Sequence, residues 1–316
     1  MEHYVTLFDS LFLPQGLALH RSMLRHAGAF TLWVLCMDDA AFDVLNRLDL
    51  PHVRPIALRD AESPELLRVK PSRTRGEYCW TMTPATPRLV FERDASATRV
   101  TYLDADMWFR QSPSAVFEQF ERSGKAVLIT EHAYPPDFDQ SKASGRFCVQ
   151  FVTFVRDRSE PVRSWWADRC IEWCYSRTED GKFGDQMYLD SWPTRFGDLV
   201  HVLDPAHWVQ GPWNTTRFDP AAAACFHFHG LRILRGQDVL LTETYPIYRD
   251  TRQLLYEPYL QDLTQALRTL REIGLPIKPQ LDRPLWGQRL RVAAKYIYLL
   301  SRGFLTRPTS KFGQLA

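Results

Sequence analysis

The most restrictive feature of the sequence is a pair of aspartates, Asp104 and Asp106, at the end of an apolar run. Residues 100–103 have the composition of a buried strand, and the chain is apolar again over residues 107–109. In an extended segment, residues i and i+2 point to the same side, so both carboxylates can reach one divalent cation. Unpaired charge at a buried strand end is costly, and a bound cation removes that cost. The tripeptide alone fits a solvated turn with two surface acids better than a metal site, so the surrounding sequence must decide.

Strand-like and helix-like segments alternate along the chain, which predicts a layered α/β fold. Several predicted strands end in acidic or polar loops, where open α/β sheets bind ligands. Strands are predicted over residues 4–8, 31–37, 100–103, 125–130 and 147–155, and helices over residues 15–26 and 165–175.

Composition and charge exclude several classes of protein. The 316 residues carry a net charge of +2, which is too balanced for general nucleic-acid binding. No apolar run is long enough to span a bilayer, and the first residues have no basic segment typical of a secretory signal. The six cysteines complete no zinc site and are interpreted as reduced. We therefore expect a cytoplasmic protein.

Four segments, in order, resemble GT-A glycosyltransferases, and family 8 (the glycogenin and lipopolysaccharide galactosyltransferase group) in particular. The segments are Tyr102-Leu103-Asp104-Ala105-Asp106, Gly184-Asp185-Gln186, His227-Phe228-His229-Gly230 and the first strand with Phe8-Asp9-Ser10. The pattern is closer still to bacterial sugar-nucleotide transferases with Tyr-Cys-Trp-Thr and Pro-Trp-Asn segments, which match residues 78–81 and 212–214.

The resemblance covers about residues 1–250 and implies a GT-A (Rossmann-like) nucleotide-diphospho-sugar transferase fold with a mixed central sheet. Residues 251–316 are expected to form a helical C-terminal extension with a basic amphipathic tail. The implied activity is metal-dependent transfer of a sugar, by default from a UDP-sugar and with retention of configuration, to a saccharide or lipid-linked saccharide acceptor.

The resemblance also implies roles for individual residues. Asp104, Asp106 and His227 would hold the metal, and Asp185 and Gln186 would act at the reacting sugar. The donor nucleotide would be bound by residues of the metal motif and of three other segments, namely Asp104, Ala105, Asp106, Phe8, Asp9, Ser10, Tyr78 and Gly230.

Two departures from the family pattern concern the identity of the donor and the contacts to its diphosphate. The usual Asn-x-Gly strand is replaced by Phe147-Cys148-Val149-Gln150, and the usual lysine after His-x-x-Gly is absent. Arg232 or Arg235 is a candidate replacement for that lysine.

The histidines decide which metal is expected. An imidazole beside two carboxylates suits Mn²⁺, with Mg²⁺ as the alternative, because nitrogen donors favour transition metals. His227 and His229 lie on the same side of a strand-like segment, residues 224–229, so His229 remains a second candidate ligand. Both rings could instead simply pack among the neighbouring phenylalanines.

Other candidate residues also have a structural interpretation. Asp185 could cap a helix that continues through Leu189, since Asp is a good N-cap residue. Trp213 and Asn214 could bind the acceptor, through a flat apolar face and a two-sided amide, or could belong to ordinary loop packing. Arg73 and Arg75, which follow Lys70, form a basic cluster that fits a phosphate site less well than a solvated surface.

Two other functions remain open at this point. A sugar-nucleotide nucleotidyltransferase would use a related fold, but residues 8–11 lack the glycine-rich loop of that class. A non-catalytic sugar- or nucleotide-binding protein would be indicated by loss of a metal aspartate, and both aspartates are present.

The C-terminal tail has its own charge pattern. From Arg283 to the end the chain has seven Lys or Arg residues and no Asp or Glu. Apolar residues recur at roughly helical spacing among them, at Trp286, Leu290, Ala294, Ile297 and Phe304. Such a segment suits an anionic membrane surface, and would place the protein on the inner face of the membrane near a lipid-linked acceptor. A terminal helix packed on the domain, with its basic face in solvent, is the alternative.

We expect the full chain to co-sediment with anionic vesicles and a chain ending at residue 282 to remain in the supernatant. Each basic residue near such a surface contributes about 1 kcal/mol, so the loss of seven should be decisive. Neutral vesicles serve as the control. Equal binding of both chains, or binding by neither, would refute the membrane anchor.

Overall fold

The computed structural model describes residues 1–204, 206–234, 238–242, 245–276, 278–280 and 309–311. The predicted amphipathic tail, from Trp286 to Phe304, lies outside these residues. None of the described helices has the length and apolarity needed to cross a membrane. The proposed division of the chain after residue 250 stays a prediction.

A seven-stranded mixed sheet forms the centre of the fold, in the order β3-β2-β1-β4-β7-β6-β8. The strands β1 to β4 run parallel, whereas β7 is antiparallel to both of its neighbours, β4 and β6. The strands are β1 (Glu2–Phe8), β2 (Phe30–Cys36), β3 (Val53–Ala57), β4 (Arg99–Leu103), β6 (Val127–Glu131), β7 (Phe147–Val155) and β8 (Val200–Val202).

Two small sheets stand beside the large one, in the orders β5-β10-β9 and β11-β12-β13. Their strands are β5 (Met107–Phe109), β9 (Val209–Gln210), β10 (Cys225–His227), β11 (Arg232–Ile233), β12 (Asp238–Leu240) and β13 (Thr309–Lys311).

Helices cover both faces of the central sheet. They are α1 (Leu13–His26), α2 (Asp39–Leu48), α3 (Pro64–Val69), α4 (Arg75–Met82), α5 (Thr86–Arg93), α6 (Ser114–Ser123), α7 (Ser141–Ser144), α8 (Glu160–Glu172), α9 (Trp192–Arg195), α10 (Arg249–Thr251) and α11 (Glu257–Glu272), with a π-helical turn at Arg252–Tyr256 between the last two.

The alternation of side chains along β1 explains the two core layers. Tyr4 and Phe8 pack with residues of α1 on one face, whereas Val5 and Leu7 pack with residues of α4 and α5 on the other. A strand that is buried on both faces reads as a continuous apolar run, as residues 4–8 do. This three-layer arrangement leaves the carboxyl ends of the strands as the exposed edge.

The predicted helix at residues 15–26 and the five predicted strands are found with shifts of at most two residues at their ends. The helix predicted over 165–175 runs instead from Glu160 to Glu172, because Pro161 fits its first turn and Trp173 is extended. The predicted helix at Asp185 is a 3₁₀-helix that begins at Met187, and Gln186 precedes it without a side-chain cap. The capping role considered for Asp185 is therefore wrong.

The close contact of α1 with β1 predicts a strong effect of one methyl group. A Cβ atom at Gly16 would lie 2.5 Å from ring carbons of Phe8, whereas a Cβ atom at Gly76 in α4 would meet nothing within 4 Å. We expect Gly16→Ala to lower the free energy of unfolding by about 1–3 kcal/mol through overpacking. The control Gly76→Ala should raise it by up to about 1 kcal/mol, since alanine favours a helix. Urea denaturation measures both, and equal effects would contradict the contact.

Candidate metal and donor site

The turn after β4 brings the two aspartates to the edge of the sheet. Asp104 donates its backbone N–H to Gln150 O at 3.2 Å, and Met107 donates to Asp104 O at 3.1 Å, which closes the turn. Strand β5 then pairs antiparallel with β10, with Met107 opposite His227. Phe228 extends this pairing by donating to Asp106 O at 2.9 Å. Backbone hydrogen bonds thus place His227 beside the aspartates, although more than a hundred residues separate them.

The three side chains converge on one point. His227 Nε2 lies 3.0 Å from Asp106 Oδ1 and 3.7 Å from Asp104 Oδ2. One ligand atom from each residue lies within 4.8 Å of the other two, and these residues are the candidate metal cluster among the described residues. His229 is outside this cluster, its ring centroid 5.4 Å from that of His227. Two carboxylate oxygens and one imidazole nitrogen form a donor set that suits Mn²⁺.

Gln150 fixes the orientation of the His227 ring. Its Oε1 lies 2.9 Å from His227 Nδ1. Because an amide oxygen can only accept, Nδ1 carries the hydrogen and Nε2 faces the carboxylates. Such a partner behind a ligating histidine sets the tautomer and supports metal binding. In the sequence, Gln150 stands out only as a departure from the family pattern. The feature that could have indicated its role is a polar amide in the middle of the apolar strand β7.

The charges of the cluster stabilise one another. Burial would raise the pKa of Asp106, but the charge and hydrogen bond of His227 lower it to about 2. Burial raises the pKa of Asp104. Burial opposes the charged form of His227 too, yet the two carboxylates raise its pKa well above the usual value. Without a metal ion, the protonated imidazole of His227 therefore balances the negative charge of the two carboxylates, as a bound cation would.

Asp185 lies behind the cluster and is buried, with 5% of its surface exposed. Gly184 allows the chain to place Asp185 there, because Gly184 adopts a φ of +53° and packs against the Trp80 ring. Trp166 Nε1 donates to the backbone oxygen of Asp185 at 2.8 Å. Burial, together with the charge of Asp104, raises the pKa of Asp185 to about 8. Gln186 is half-buried and donates to Ser144 O at 2.5 Å.

The loop after β1 forms a second polar group at the same sheet edge. Asp9 Oδ2 lies 2.7 Å from Arg75 Nε, and Ser10 donates its hydroxyl to Asp38 at 2.8 Å. Arg75 also pairs with Asp38, so it joins the ends of β1 and β2. Arg75 is exposed, as the prediction of a solvated surface cluster requires, and its charge is also paired with Asp9 and Asp38. The Phe8 ring is buried against Gly16.

Arg232, on β11, lies near Phe12 in the loop after β1 and near Asp106 of the metal cluster. Its guanidinium is 5.9 Å from the centroid of the Phe12 ring, and its charge contributes to the low pKa of Asp106. The guanidinium of Arg232 therefore reaches both the loop after β1 and the metal cluster from β11. Arg235, the other candidate, lies outside the described residues.

Other predicted site residues are engaged elsewhere in the structure. Tyr78 is buried and donates its hydroxyl to Glu62 at 2.7 Å. Asn214 is fully buried, donates to His132 O at 2.9 Å and accepts from Gly211 at 3.1 Å. Both side chains therefore have a structural role.

Three further predicted residues form the walls of the site. The Trp213 ring is buried, with its centroid 5.5 Å from that of His227. Gly230 turns the chain after β10 with a φ of +78°. Ala105 is buried between the two aspartates.

No family model matches this sequence. The uncharacterized protein YfnF of Bacillus subtilis (strain 168) is 29% identical over 291 residues, which cover 84% of this chain and 94% of the relative. YfnD of the same strain is 28% identical over 277 residues, which cover 83% and 88%.

Among solved structures, the galactosyltransferase LgtC in complex with donor and acceptor sugar analogs matches with a TM-score of 0.51 at 14% identity, covering 83% of this chain and 95% of that chain. The glycosyltransferase GlyE of Streptococcus pneumoniae TIGR4 matches with a TM-score of 0.50 at 16% identity, covering 89% and 66%. The predicted GT-A fold is therefore confirmed.

The raised pKa of Asp185 predicts a pH dependence of stability. The carboxyl is neutral in the folded protein up to about pH 8, whereas the same group titrates at 3.8 when unperturbed. The contribution of this carboxyl to the free energy of unfolding is thus complete below about pH 4 and is lost as the pH rises towards 8. In a chelator, the free energy of unfolding should fall less between pH 5 and 8 for Asp185→Asn than for the parent chain. Identical slopes in urea denaturation would contradict the raised pKa.

Proposed function

We propose that this chain is a metal-dependent glycosyltransferase that transfers a sugar from a nucleoside diphosphate donor to a saccharide acceptor. The observation that carries the proposal is the convergence of Asp104, Asp106 and His227 at the carboxyl edge of a GT-A sheet. The family resemblance supports a UDP-sugar as the donor and retention of configuration. The basic residues from Arg283 onward support a lipid-linked saccharide as the class of acceptor.

The donor set fits a divalent cation of the Mn²⁺ or Mg²⁺ kind. Gln150 holds His227 with Nε2 towards two carboxylates, which is the arrangement that a metal-binding histidine needs. When bound, the cation would neutralise charge on the diphosphate and so make the nucleotide a better leaving group. Mn²⁺ is favoured because one of the three ligand atoms is nitrogen.

Other residues act on the donor from the protein side. The loop Phe8-Asp9-Ser10, joined to Asp38 through Arg75, would receive the nucleoside. Arg232 would contact the diphosphate from the side opposite the aspartates, in place of the lysine that the family uses there. A planar guanidinium suits this task, because it can give two parallel hydrogen bonds to phosphate oxygens.

Asp185 would contact the transferred sugar as a neutral acid. With a pKa raised to about 8, its carboxyl can donate a hydrogen bond to a sugar hydroxyl at neutral pH. A protonated carboxyl is a poor general base, which agrees with a retaining reaction rather than an inverting one. Gln186 would supply amide contacts beside it. Trp213 is buried, so it would shape the acceptor cleft from behind rather than stack on the sugar.

The activity can be tested by following hydrolysis of UDP-sugars with and without Mn²⁺. We expect metal-stimulated release of UDP by the parent chain, and at least a hundredfold slower release by Asp104→Asn, Asp106→Asn and His227→Ala, since each removes a ligand. Asp39→Asn is the matched control, because that aspartate is exposed on α2. Asp185→Asn reports in the same assay on the sugar contact.

Full metal-stimulated activity in the Asp104 or Asp106 variant would overturn the metal assignment. Release of diphosphate from a nucleoside triphosphate in the presence of a sugar phosphate would indicate a nucleotidyltransferase instead. Metal-dependent binding of donor without turnover of any acceptor or water would indicate a sugar-nucleotide-binding protein.

A further inference from the structure

We propose that the helical segment Arg252–Glu272, which we call the brace, positions the metal-binding side chains. The brace comprises the π-helical turn and α11, and it lies beyond the part of the chain that carries the family motifs. Tyr259 and Asp262 are the positioning residues. The inference rests on the proposed metal site and adds to it the residues that hold the site together.

The first contact joins the brace to β5. Asp262 Oδ2 accepts a hydrogen bond of 2.7 Å from Trp108 Nε1, and Trp108 lies two residues after Asp106. The Asp262 side chain has 8% of its surface exposed and is paired with Arg25 and Arg21 of α1. A carboxylate that is hydrogen-bonded to charged partners makes a strong acceptor. Asp262 therefore ties β5 to α1 through the brace.

The second contact joins the brace to β10. The Tyr259 ring stacks on Phe228 with centroids 3.7 Å apart and an interplanar angle of 7°, and Tyr256 packs on the same ring at 5.0 Å. Phe228 follows His227 directly, and its N–H donates to Asp106 O. The Tyr259 hydroxyl has no hydrogen-bond partner among the described residues, so the contribution of Tyr259 comes from its ring.

These contacts matter because the strand that carries His227 and the strand that follows Asp106 are both short. β5 and β10 have three residues each and the third strand of their sheet, β9, has two, so a sheet of this size is marginal by itself. Rotation of either strand would change the 3.0 Å separation of His227 Nε2 and Asp106 Oδ1. The brace contacts Trp108, close to Asp106, and Phe228, next to His227, so it holds that separation.

Binding of Mn²⁺ alone, measured by isothermal titration calorimetry, tests the brace independently of catalysis. We expect Tyr259→Leu and Trp108→Phe to weaken Mn²⁺ binding by at least about tenfold, as loss of other groups that orient metal ligands does. Tyr259→Phe keeps the ring and should bind Mn²⁺ like the parent chain. Trp108→Phe keeps an aromatic ring but removes the donor to Asp262, so it tests the hydrogen bond.

The matched control is Leu270→Ala, on the same helix. Leu270 is buried and packs in the core layer of α1, whereas Tyr259 belongs to the cluster of Trp108 and Phe228. A cavity there should lower the melting temperature without changing the Kd for Mn²⁺. Thermal melts of all variants without metal establish that they fold, and Trp108→Phe decides the matter if Tyr259→Leu does not.

The outcomes separate the brace from the metal site itself. If the parent chain binds no Mn²⁺, the proposed metal site is wrong. If the parent chain binds Mn²⁺ and folded Tyr259→Leu and Trp108→Phe bind it equally well, the brace is an ordinary packing element and the inference is overturned. Loss of affinity in Leu270→Ala by the same factor would also overturn it, because general destabilisation would then explain the effect.

Discussion

The electrostatic interaction between His227 and the two aspartates is the constraint on which the rest of the site depends. Two carboxylates at the end of a buried strand repel each other and lose hydration, so the fold must supply positive charge there. The pairing of β5 with β10 brings His227 to 3.0 Å from Asp106, and its ring balances the charge when no cation is bound. The same geometry keeps the ligands close together before any metal arrives, so little rearrangement is needed to bind one.

The reversal of strand direction at β7 explains how this arrangement is supported. β7 runs antiparallel to β4, so residues in the middle of β7 pass beside the loop that follows β4. Gln150 uses this position twice, because its backbone oxygen accepts from Asp104 and its side chain accepts from His227. A parallel strand would have presented its carboxyl end at this edge instead. The mixed sheet is therefore part of the site's construction rather than a variation of the fold.

Local pattern was enough to predict the strands, α1 and the aspartate pair, because apolar runs and their acidic ends are visible in neighbouring residues. The family resemblance added His227 and Asp185. Contacts between distant segments were not predictable. Nothing near Asn214 indicated that its amide would be used up within the protein, and nothing near Arg75 showed that two aspartates would neutralise it. Gln150 was visible as an exception, but its partner could not be read from the sequence.

The residues that hold the metal-binding side chains in place lie outside the recognisable motifs. All of the recognisable motifs lie before residue 250, yet Trp108 and Phe228, which flank the ligands, are held by Asp262 and Tyr259. A short strand cannot fix a side chain to within a fraction of an ångström unless its own neighbours are fixed, and here those neighbours belong to the C-terminal helix. The motif residues therefore define the chemistry, while the geometry that makes them act together depends on a segment with no motif.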